Sequence, residues 1–200
     1  MSIALNILND KEIPFLIRVI IFHYFFGYLH PFYDGNGRTA RFIFSYYLAK
    51  EFDEIIALRL SVIIKRYKKK YYEIFQDTDN EYNRGDLTVF VQTFLEMLNK
   101  AIKEAIDILQ KKLSQLSTYS DKLDKIIISD DITKNIYFIL LQASLFFGEG
   151  ATISEIMKTT KKSRGTIQNR LDNIPKTHLI INNKIKPYRY KLNMMLFREK

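Results

Sequence analysis

The chain has 200 residues, a formal net charge of +9 and no cysteine, and 47% of its residues are hydrophobic. This composition excludes a disordered tail, and the lack of cysteine excludes a disulfide framework, a thiolate metal site and a cysteine nucleophile. We therefore expect a folded protein, and a cytoplasmic one, because a cysteine-free chain suits a reducing compartment.

The positive charge is concentrated at one end of the chain. Residues 151–200 contain twelve Lys or Arg and three acidic residues, whereas residues 1–150 contain 19 basic and 19 acidic residues. A neutral first part and a basic final quarter favour two functional units, the second facing a polyanion such as nucleic acid. An excess charge that serves solubility alone is an equally open alternative.

Most of the chain up to residue 147 is predicted to be helical. The most apolar stretch, residues 13–29, contains Arg18 and His23, so we expect a buried helix and no membrane span. Residues 30–37 hold one proline and two glycines, which predicts a loop. Further helices are expected over residues 38–50, 55–75 and 86–116, the last capped by Asp86 or Thr88. Five or six helices would pack into a bundle.

The remaining residues predict a second, smaller domain. We divide the chain into a helical domain over residues 1–116, a linker over 117–131 and an α+β domain over 132–200. The last contains predicted helices at residues 132–147 and 152–157, a third helix capped by Ser163, and strands at 178–182 and 188–192.

This order of elements resembles a winged helix-turn-helix. In DNA-binding members of that class the third helix enters the major groove. The resemblance implies that the surface presented to DNA would be formed by Lys161, Lys162, Arg164, Gln168, Asn169 and Arg170. The alternative is that the domain mediates protein interaction, including a homodimer.

Residues 30–41, His-Pro-Phe-Tyr-Asp-Gly-Asn-Gly-Arg-Thr-Ala-Arg, combine residue types that suit phosphate chemistry. Gly35, Asn36 and Gly37 lie where a loop meets a helix N-terminus, and free backbone N–H groups there favour an anion. Arg38 and Arg41 project from one face of the following helix, and a guanidinium fork suits phosphate oxygens. The pattern predicts a polyphosphate site.

Two further residues of the segment suggest catalysis. Asp34 offers the hard oxygen ligand that magnesium takes beside phosphates and water. A histidine titrates near neutral pH, so His30 could take a proton from an attacking hydroxyl. Each residue alone has a structural explanation, as a cap, a turn former or a solvated charge. Their occurrence within twelve residues favours a functional site.

The segment resembles the signature of the Fic family, HPFxxGNGRxxR, with every consensus position filled, and the resemblance extends over residues 1–115. It implies a helical bundle that transfers AMP from ATP, with Mg²⁺, to a Tyr, Thr or Ser hydroxyl of a target protein. By resemblance, His30 is the general base, Asp34 the magnesium ligand and Asn36 an anchor for the α-phosphate. The ATP-binding residues would be Gly35, Asn36, Gly37, Arg38, Arg41, Tyr71, Tyr72 and Asn80.

The resemblance also raises points of difference and alternatives. It implies that Phe32 is a core plug for the loop, and that Tyr71 and Tyr72 either contact the nucleotide or pack in the core. The family's β-hairpin flap is expected to be missing from the 29 residues before His30, which suggests a shortened chain, with a naturally flapless chain as the alternative. No segment fully matches the family's inhibitory helix. The most similar segments begin at Ser117 and Ser120, and both lack the Gly or Asn that ends the family's pattern.

Three rival functions remain open at this stage. The first is another Fic chemistry, such as AMP removal, phosphoryl transfer or transfer of other nucleotides. The second is a DNA-binding regulator whose Fic part only senses nucleotide. The third is a toxin whose antitoxin is a separate chain.

Overall fold

The computed structural model describes residues 1–127, 129–184 and 186–197. The chain forms two compact units, Met1–Ile108 and Leu109–Lys200. Within the described residues the structure is mainly helical, with one three-stranded sheet in the second unit, which confirms the predicted fold class at this level. None of the helices in those ranges is long and apolar enough to cross a membrane.

The first unit is a bundle of helices. In chain order these are α1 (Ser2–Asn9), α2 (Phe15–Leu29), α3 (Asn36–Glu51), α4 (Glu54–Arg66), α5 (Lys68–Asp79), one 3₁₀ turn (Glu81–Asn83) and the first part of α6 (Thr88–Ile126). The loop between α2 and α3 is therefore six residues long, and it holds the predicted site.

Helix α2 is the central element of this unit. Its buried residues are spread around most of its circumference, which is the pattern of a helix surrounded by core. Aromatic side chains from α5 and α6 pack against it, among them the fully buried Phe90 and Phe94. The prediction of a buried helix at residues 13–29 is confirmed.

The predicted helix over residues 55–75 is interrupted in the structure. Tyr67 leaves the helical conformation, with φ −103° and ψ 34°, and separates α4 from α5. The ammonium of Lys100, on α6, lies 4.1 Å from the centre of the Tyr67 ring and donates a hydrogen bond to its hydroxyl. The apolar spacing continues through Tyr67, so the sequence pattern does not reveal the interruption.

Helix α6 is longer than predicted at its C-terminal end. Its start agrees with the prediction, because the Asp86 side chain accepts a hydrogen bond of 2.8 Å from the Thr88 N–H. Residues 117–126, assigned to a linker, are helical and continue α6. The physical reason is that Tyr119, Leu123 and Ile127 lie on one side of the chain here and pack into the core of the second unit.

The second unit combines short helices with a small sheet. After α6 come α7 (Asp131–Gln142), a π-helical turn (Ala143–Phe147), β1 (Ala151–Thr152), α8 (Ile153–Thr160), α9 (Arg164–Asn173), β2 (Leu179–Asn182), β3 (Arg189–Leu192) and a 3₁₀ turn (Met194–Phe197). The strands are antiparallel in the order β1-β3-β2, with Ile181 opposite Tyr190.

Local signals in the sequence explain much of this unit. Ser163 caps α9 as predicted, by accepting a hydrogen bond of 3.3 Å from the Thr166 N–H. Thr152 and Glu155 form a capping box at the start of α8. Strand β1 was not predicted, because two residues are too short to show an alternation. Strand β1 pairs with β3, and Gly150 directly before it approaches the β3 backbone so closely that a Cβ there would be 2.6 Å from the Tyr190 carbonyl oxygen.

Candidate active site

The loop between α2 and α3 begins with a residue in the left-handed conformation. His30 ends α2 with φ 43° and ψ 59°, and its side chain is exposed. Among non-glycine residues histidine is one of those that adopt this conformation more readily. The turn leaves the imidazole at the surface, where a second molecule can reach it.

Asn36 closes the loop with its side chain. Its Oδ1 accepts a hydrogen bond of 2.9 Å from the Phe32 N–H, and its Nδ2 donates one of 2.6 Å to the Phe32 carbonyl. The side chain of Asn36 is buried, whereas that of Phe32 is 54% exposed. The expectation that the Phe32 ring plugs the core is therefore wrong, because the loop is held through the backbone of Phe32.

Helix α3 opens toward the loop with free backbone donors. Gly35 precedes it with φ 84°, a conformation that a side chain would strain, and its carbonyl accepts the N–H of Thr39 at 2.9 Å. The N–H groups of Asn36, Gly37 and Arg38 lie before this first helical bond, where a helix provides no acceptor. Together with the helix dipole they give the arrangement that the sequence predicts for an anion site, and anion binding there stays a prediction.

The two side chains that flank this anion site form an exposed ion pair. Arg38 Nη2 lies 3.1 Å from Asp34 Oδ2, and the side chains are 76% and 83% exposed. Asp34 Oδ1 also accepts a hydrogen bond of 2.6 Å from the Gly35 N–H. A pair this exposed contributes less than about 1 kcal/mol, so a bound anion or cation can separate it at little cost.

Asp34 is a single carboxylate at this position. Over the described ranges, no group of three or more His, Cys, Asp or Glu side chains is arranged to hold a metal ion. A lone carboxylate suits Mg²⁺ only where phosphates and water supply the other ligands, which is how magnesium is commonly bound beside nucleotides. The residues present fit that limited role.

Arg41 lies one turn further along α3 and contacts α5. Its Cζ is 5.9 Å from the centre of the Tyr71 ring. Tyr71 is 3% exposed, whereas Tyr72 is 48% exposed, and their rings meet edge to face at 5.2 Å. Burial raises the pKa of the Tyr71 phenol, and the Arg41 guanidinium opposes this rise.

Sequence reasoning missed the residue beneath this pair. His23, on α2, is 1% exposed, with Nε2 3.0 Å from the Tyr71 hydroxyl and Nδ1 3.2 Å from the Ala40 carbonyl. Burial lowers its pKa to about 4, helped by the positive charge of Arg41 and opposed by the hydrogen bond to Ala40. The available signal was its spacing, two helical turns before His30, but in the sequence His23 stands out only as an interruption of an apolar run.

Four of the predicted nucleotide contacts line two separate cavities of the first unit, three in one and Asn80 in the other. One, of about 600 Å³, is lined by Arg41, Tyr71, Tyr72 and two lysines, Lys65 and Lys68. The other, of about 420 Å³, is lined by residues of α2, of the end of α5 and of the segment after it, including Tyr24, Tyr28, Asp79 and Asn80. The Asn80 side chain caps the 3₁₀ turn by accepting a hydrogen bond of 3.0 Å from the Tyr82 N–H.

Comparison with known proteins identifies relatives of the first unit. Residues 2–48 match the model of the Fic/DOC family. The match covers α1, α2, the loop and most of α3. It therefore includes His30, the anion site and both arginines, but neither α5 nor the second unit.

Curated relatives carry a Fic name as well. The chain is 30% identical over 99 residues to "Protein adenylyltransferase Fic" of Aedes aegypti, which is 48% of this chain and 18% of that protein. It is 32% identical over 95 residues to the protein of the same name from Nematostella vectensis, covering 44% and 20%. The chain thus has Fic adenylyltransferase relatives at modest identity and spans about a fifth of their length.

A solved structure extends the likeness in fold. The crystal structure of a Fic family protein from Desulfovibrio desulfuricans G20 aligns with a TM-score of 0.50, over 96% of this chain and 54% of that one. Sequence identity is 22%, so this likeness concerns the fold alone.

The predicted DNA-facing residues of the second unit differ in whether their side chains are already bonded to other residues. Lys161, Lys162 and Arg164 are exposed around the N-terminus of α9. Arg170 instead forms an ion pair of 2.5 Å with Asp130, the residue that caps α7. Two other side chains make contacts within α9: Gln168 donates to Asp172, and Asn169 accepts from Asn173, both at 2.9 Å.

Proposed function

We propose that the first unit transfers AMP from ATP to a hydroxyl side chain of a target protein. The observation that carries this proposal is that the loop between α2 and α3 and the start of α3 bring together an exposed histidine, free backbone N–H groups and two arginines. The names of the curated relatives agree with it. The target would be a protein that presents a Tyr, Thr or Ser hydroxyl.

The reaction is an in-line displacement at the α-phosphorus. The target oxygen forms a bond to phosphorus, the bond to the bridging oxygen of pyrophosphate breaks, and His30 takes the proton of the target hydroxyl. The exposed position of His30 suits this role, because the hydroxyl arrives on another molecule. Catalysis would then depend on positioning and charge neutralisation.

The phosphates would be held by backbone and arginine. The N–H groups of Asn36, Gly37 and Arg38 suit the phosphate nearest to the loop. Binding would separate Arg38 from Asp34, so that the guanidinium binds phosphate oxygen and the carboxylate becomes free for Mg²⁺. When bound, that ion would neutralise charge on the leaving pyrophosphate.

Two roles differ from those implied by the resemblance. We propose that Asn36 shapes the loop, because both ends of its amide already bond to Phe32. We also propose that Tyr71 supports Arg41 from below and that the exposed Tyr72 is the member of the pair that meets the nucleotide.

The proposal is tested with two forms of radiolabelled ATP. The chain is incubated with a lysate and with ATP labelled at the α- or the γ-phosphate. We expect label on protein only from the α-phosphate. Transfer from the γ-phosphate would make the protein a kinase, and release of AMP from a modified target would favour the reverse reaction. Either result contradicts the proposal.

A second function, nucleic-acid binding, is favoured by the surface of the second unit. We propose that this unit is a winged helix-turn-helix that contacts DNA through α9, because Lys161, Lys162 and Arg164 are exposed at its N-terminus and residues 151–200 carry the whole excess charge. Such binding should weaken steeply as salt concentration rises. It should also be independent of ATP.

Two charge-matched variants in one helix test this binding. In duplex DNA titrations with the full chain, Arg164→Gln should weaken binding and lower the salt dependence by about one phosphate contact. Arg170→Gln removes the same charge from a side chain already paired with Asp130, so its effect should be smaller. Equal effects, or no binding by the wild type near physiological salt, would favour an interaction or dimerisation module.

A further inference from the structure

His23 is a buried polar residue that the transfer reaction does not use directly. Its ring lies among aromatic side chains, with centroid distances of 4.9 Å to Phe94 and 5.3 Å to Phe44. A phenyl ring could fill this space. The hydrogen bonds of both ring nitrogens are therefore the feature that needs an explanation, since a buried polar group is costly unless it is paired.

The partners of His23 determine which nitrogen carries the proton. The Ala40 carbonyl can only accept, so Nδ1 carries the hydrogen and donates it. Nε2 is then the acceptor, and the Tyr71 hydroxyl must donate to it. This leaves the lone pairs of the Tyr71 oxygen available to a donor.

Arg41 is the cation beside that tyrosine. Its Cζ lies 5.9 Å from the centre of the Tyr71 ring, and its positive charge opposes the rise that burial causes in the pKa of the phenol. Ala40, the other partner of His23, directly precedes Arg41 in α3. His23 is therefore hydrogen-bonded to two groups next to Arg41, the carbonyl of Ala40 and the hydroxyl of Tyr71.

We propose that His23 is a positioning residue that holds Arg41, through Tyr71 and Ala40, in the orientation that binds the outer phosphates of the nucleotide. The inference rests on the proposed function, because it takes Arg41 as a ligand of those phosphates. It assigns to α2 a role in substrate affinity in addition to its role in the core.

The test compares two nucleotides that differ only in the outer phosphates. Binding of ATP and of AMP to the full chain is measured by calorimetry for the wild type, His23→Phe, Tyr71→Phe and Arg41→Ala. His23→Phe keeps an aromatic ring and removes both hydrogen bonds. We expect it to weaken ATP binding about tenfold and AMP binding less than about twofold. Arg41→Ala removes the guanidinium itself and therefore gives the upper limit for the loss of ATP affinity.

Tyr71→Phe keeps the test valid if His23→Phe does not fold. It removes one oxygen and should show the same selective loss for ATP. In the double variant the losses should not add, because both changes break one chain of contacts. Conservative His23→Gln, whose amide can donate and accept, should recover part of the ATP affinity.

The outcomes separate the inference from the function on which it rests. Equal losses of affinity for ATP and AMP would show that His23 only packs in the core. An unchanged ratio of ATP to AMP affinity in both His23→Phe and Tyr71→Phe would show the same. If the wild type does not bind ATP, the proposed function fails. If Arg41→Ala binds ATP as the wild type does, the phosphate role of Arg41 fails.

Discussion

The surface loop and the layer of side chains beneath it have opposite physical properties. At the surface, His30 and Asp34 of the loop and Arg38 at the start of α3 are exposed, and the ion pair between Asp34 and Arg38 is weak. In the layer beneath, His23 and Tyr71 are buried and hydrogen-bonded to each other. The contrast agrees with the roles proposed above, in which the loop carries the groups that react and the buried layer holds Arg41 in place. Changes in the loop should therefore affect transfer, and changes below it should affect stability and nucleotide affinity.

The largest expected effect is the loss of transfer on changing His30. His30→Asn removes the base but keeps a residue type that tolerates the left-handed conformation. We expect transfer of the α-phosphate label to fall roughly 100- to 10,000-fold, with ATP affinity nearly unchanged. Tyr33→Ala, a change of a fully exposed loop residue, is the control and should retain transfer. Undiminished labelling by His30→Asn would remove His30 from the mechanism.

The buried layer should make stability depend on pH. Because burial lowers the pKa of folded His23 to about 4, the unfolded chain, with an ordinary histidine near 6.5, binds a proton that the folded chain does not. The free energy of unfolding should therefore fall as pH drops from 6.5 to about 4, by roughly 3 kcal/mol from this residue, and no further below.

Chemical denaturation between pH 4 and pH 7 measures this dependence. In His23→Phe the contribution should disappear, so its unfolding free energy should fall less with acid than that of the wild type. Identical slopes in the wild type and His23→Phe would show that His23 does not charge on unfolding.

A smaller effect is expected where α2 approaches α5. A Cβ on Gly27 would lie 2.7 Å from Cε1 of Phe75, whose ring packs among Tyr24, Tyr71 and Phe90. Gly27→Ala should lower the free energy of unfolding by about 1–3 kcal/mol. In Gly165→Ala, with no atom within 4 Å of the added carbon, helix propensity should instead stabilise by up to about 1 kcal/mol. Thermal unfolding distinguishes the expected destabilisation from the expected stabilisation. If Gly27→Ala loses no stability, the Phe75 ring moves aside freely.

The smallest effect on stability is expected from the exposed pair in the loop. Asp34→Asn should change the free energy of unfolding by less than about 1 kcal/mol. It should nevertheless reduce the magnesium dependence of ATP binding, because an amide is a poorer ligand for this ion. Calorimetric titration with and without Mg²⁺ measures this. A large loss of stability would show that the pair is structural.

Signals between neighbouring residues allowed much of the fold and site to be predicted. The caps at Asp86 and Ser163 depend on bonds over two or three residues, and both are present. The anion site depends on a glycine and a helix N-terminus that follow each other in the chain. Such features are readable because side chain and partner lie within one turn.

The sequence by itself determined the mainly helical character, the buried α2 and the segment that is proposed to carry the chemistry. Tertiary structure decided what lies beneath that segment, because its contacts join distant residues: His23 and Tyr71 are 48 positions apart, and Lys100 and Tyr67 are 33. It also decided the course of α6, since Leu123 and Ile127 became core residues only when the second unit packed around them. Periodicity shows which side of a helix is apolar, but only packing shows which side chain it meets.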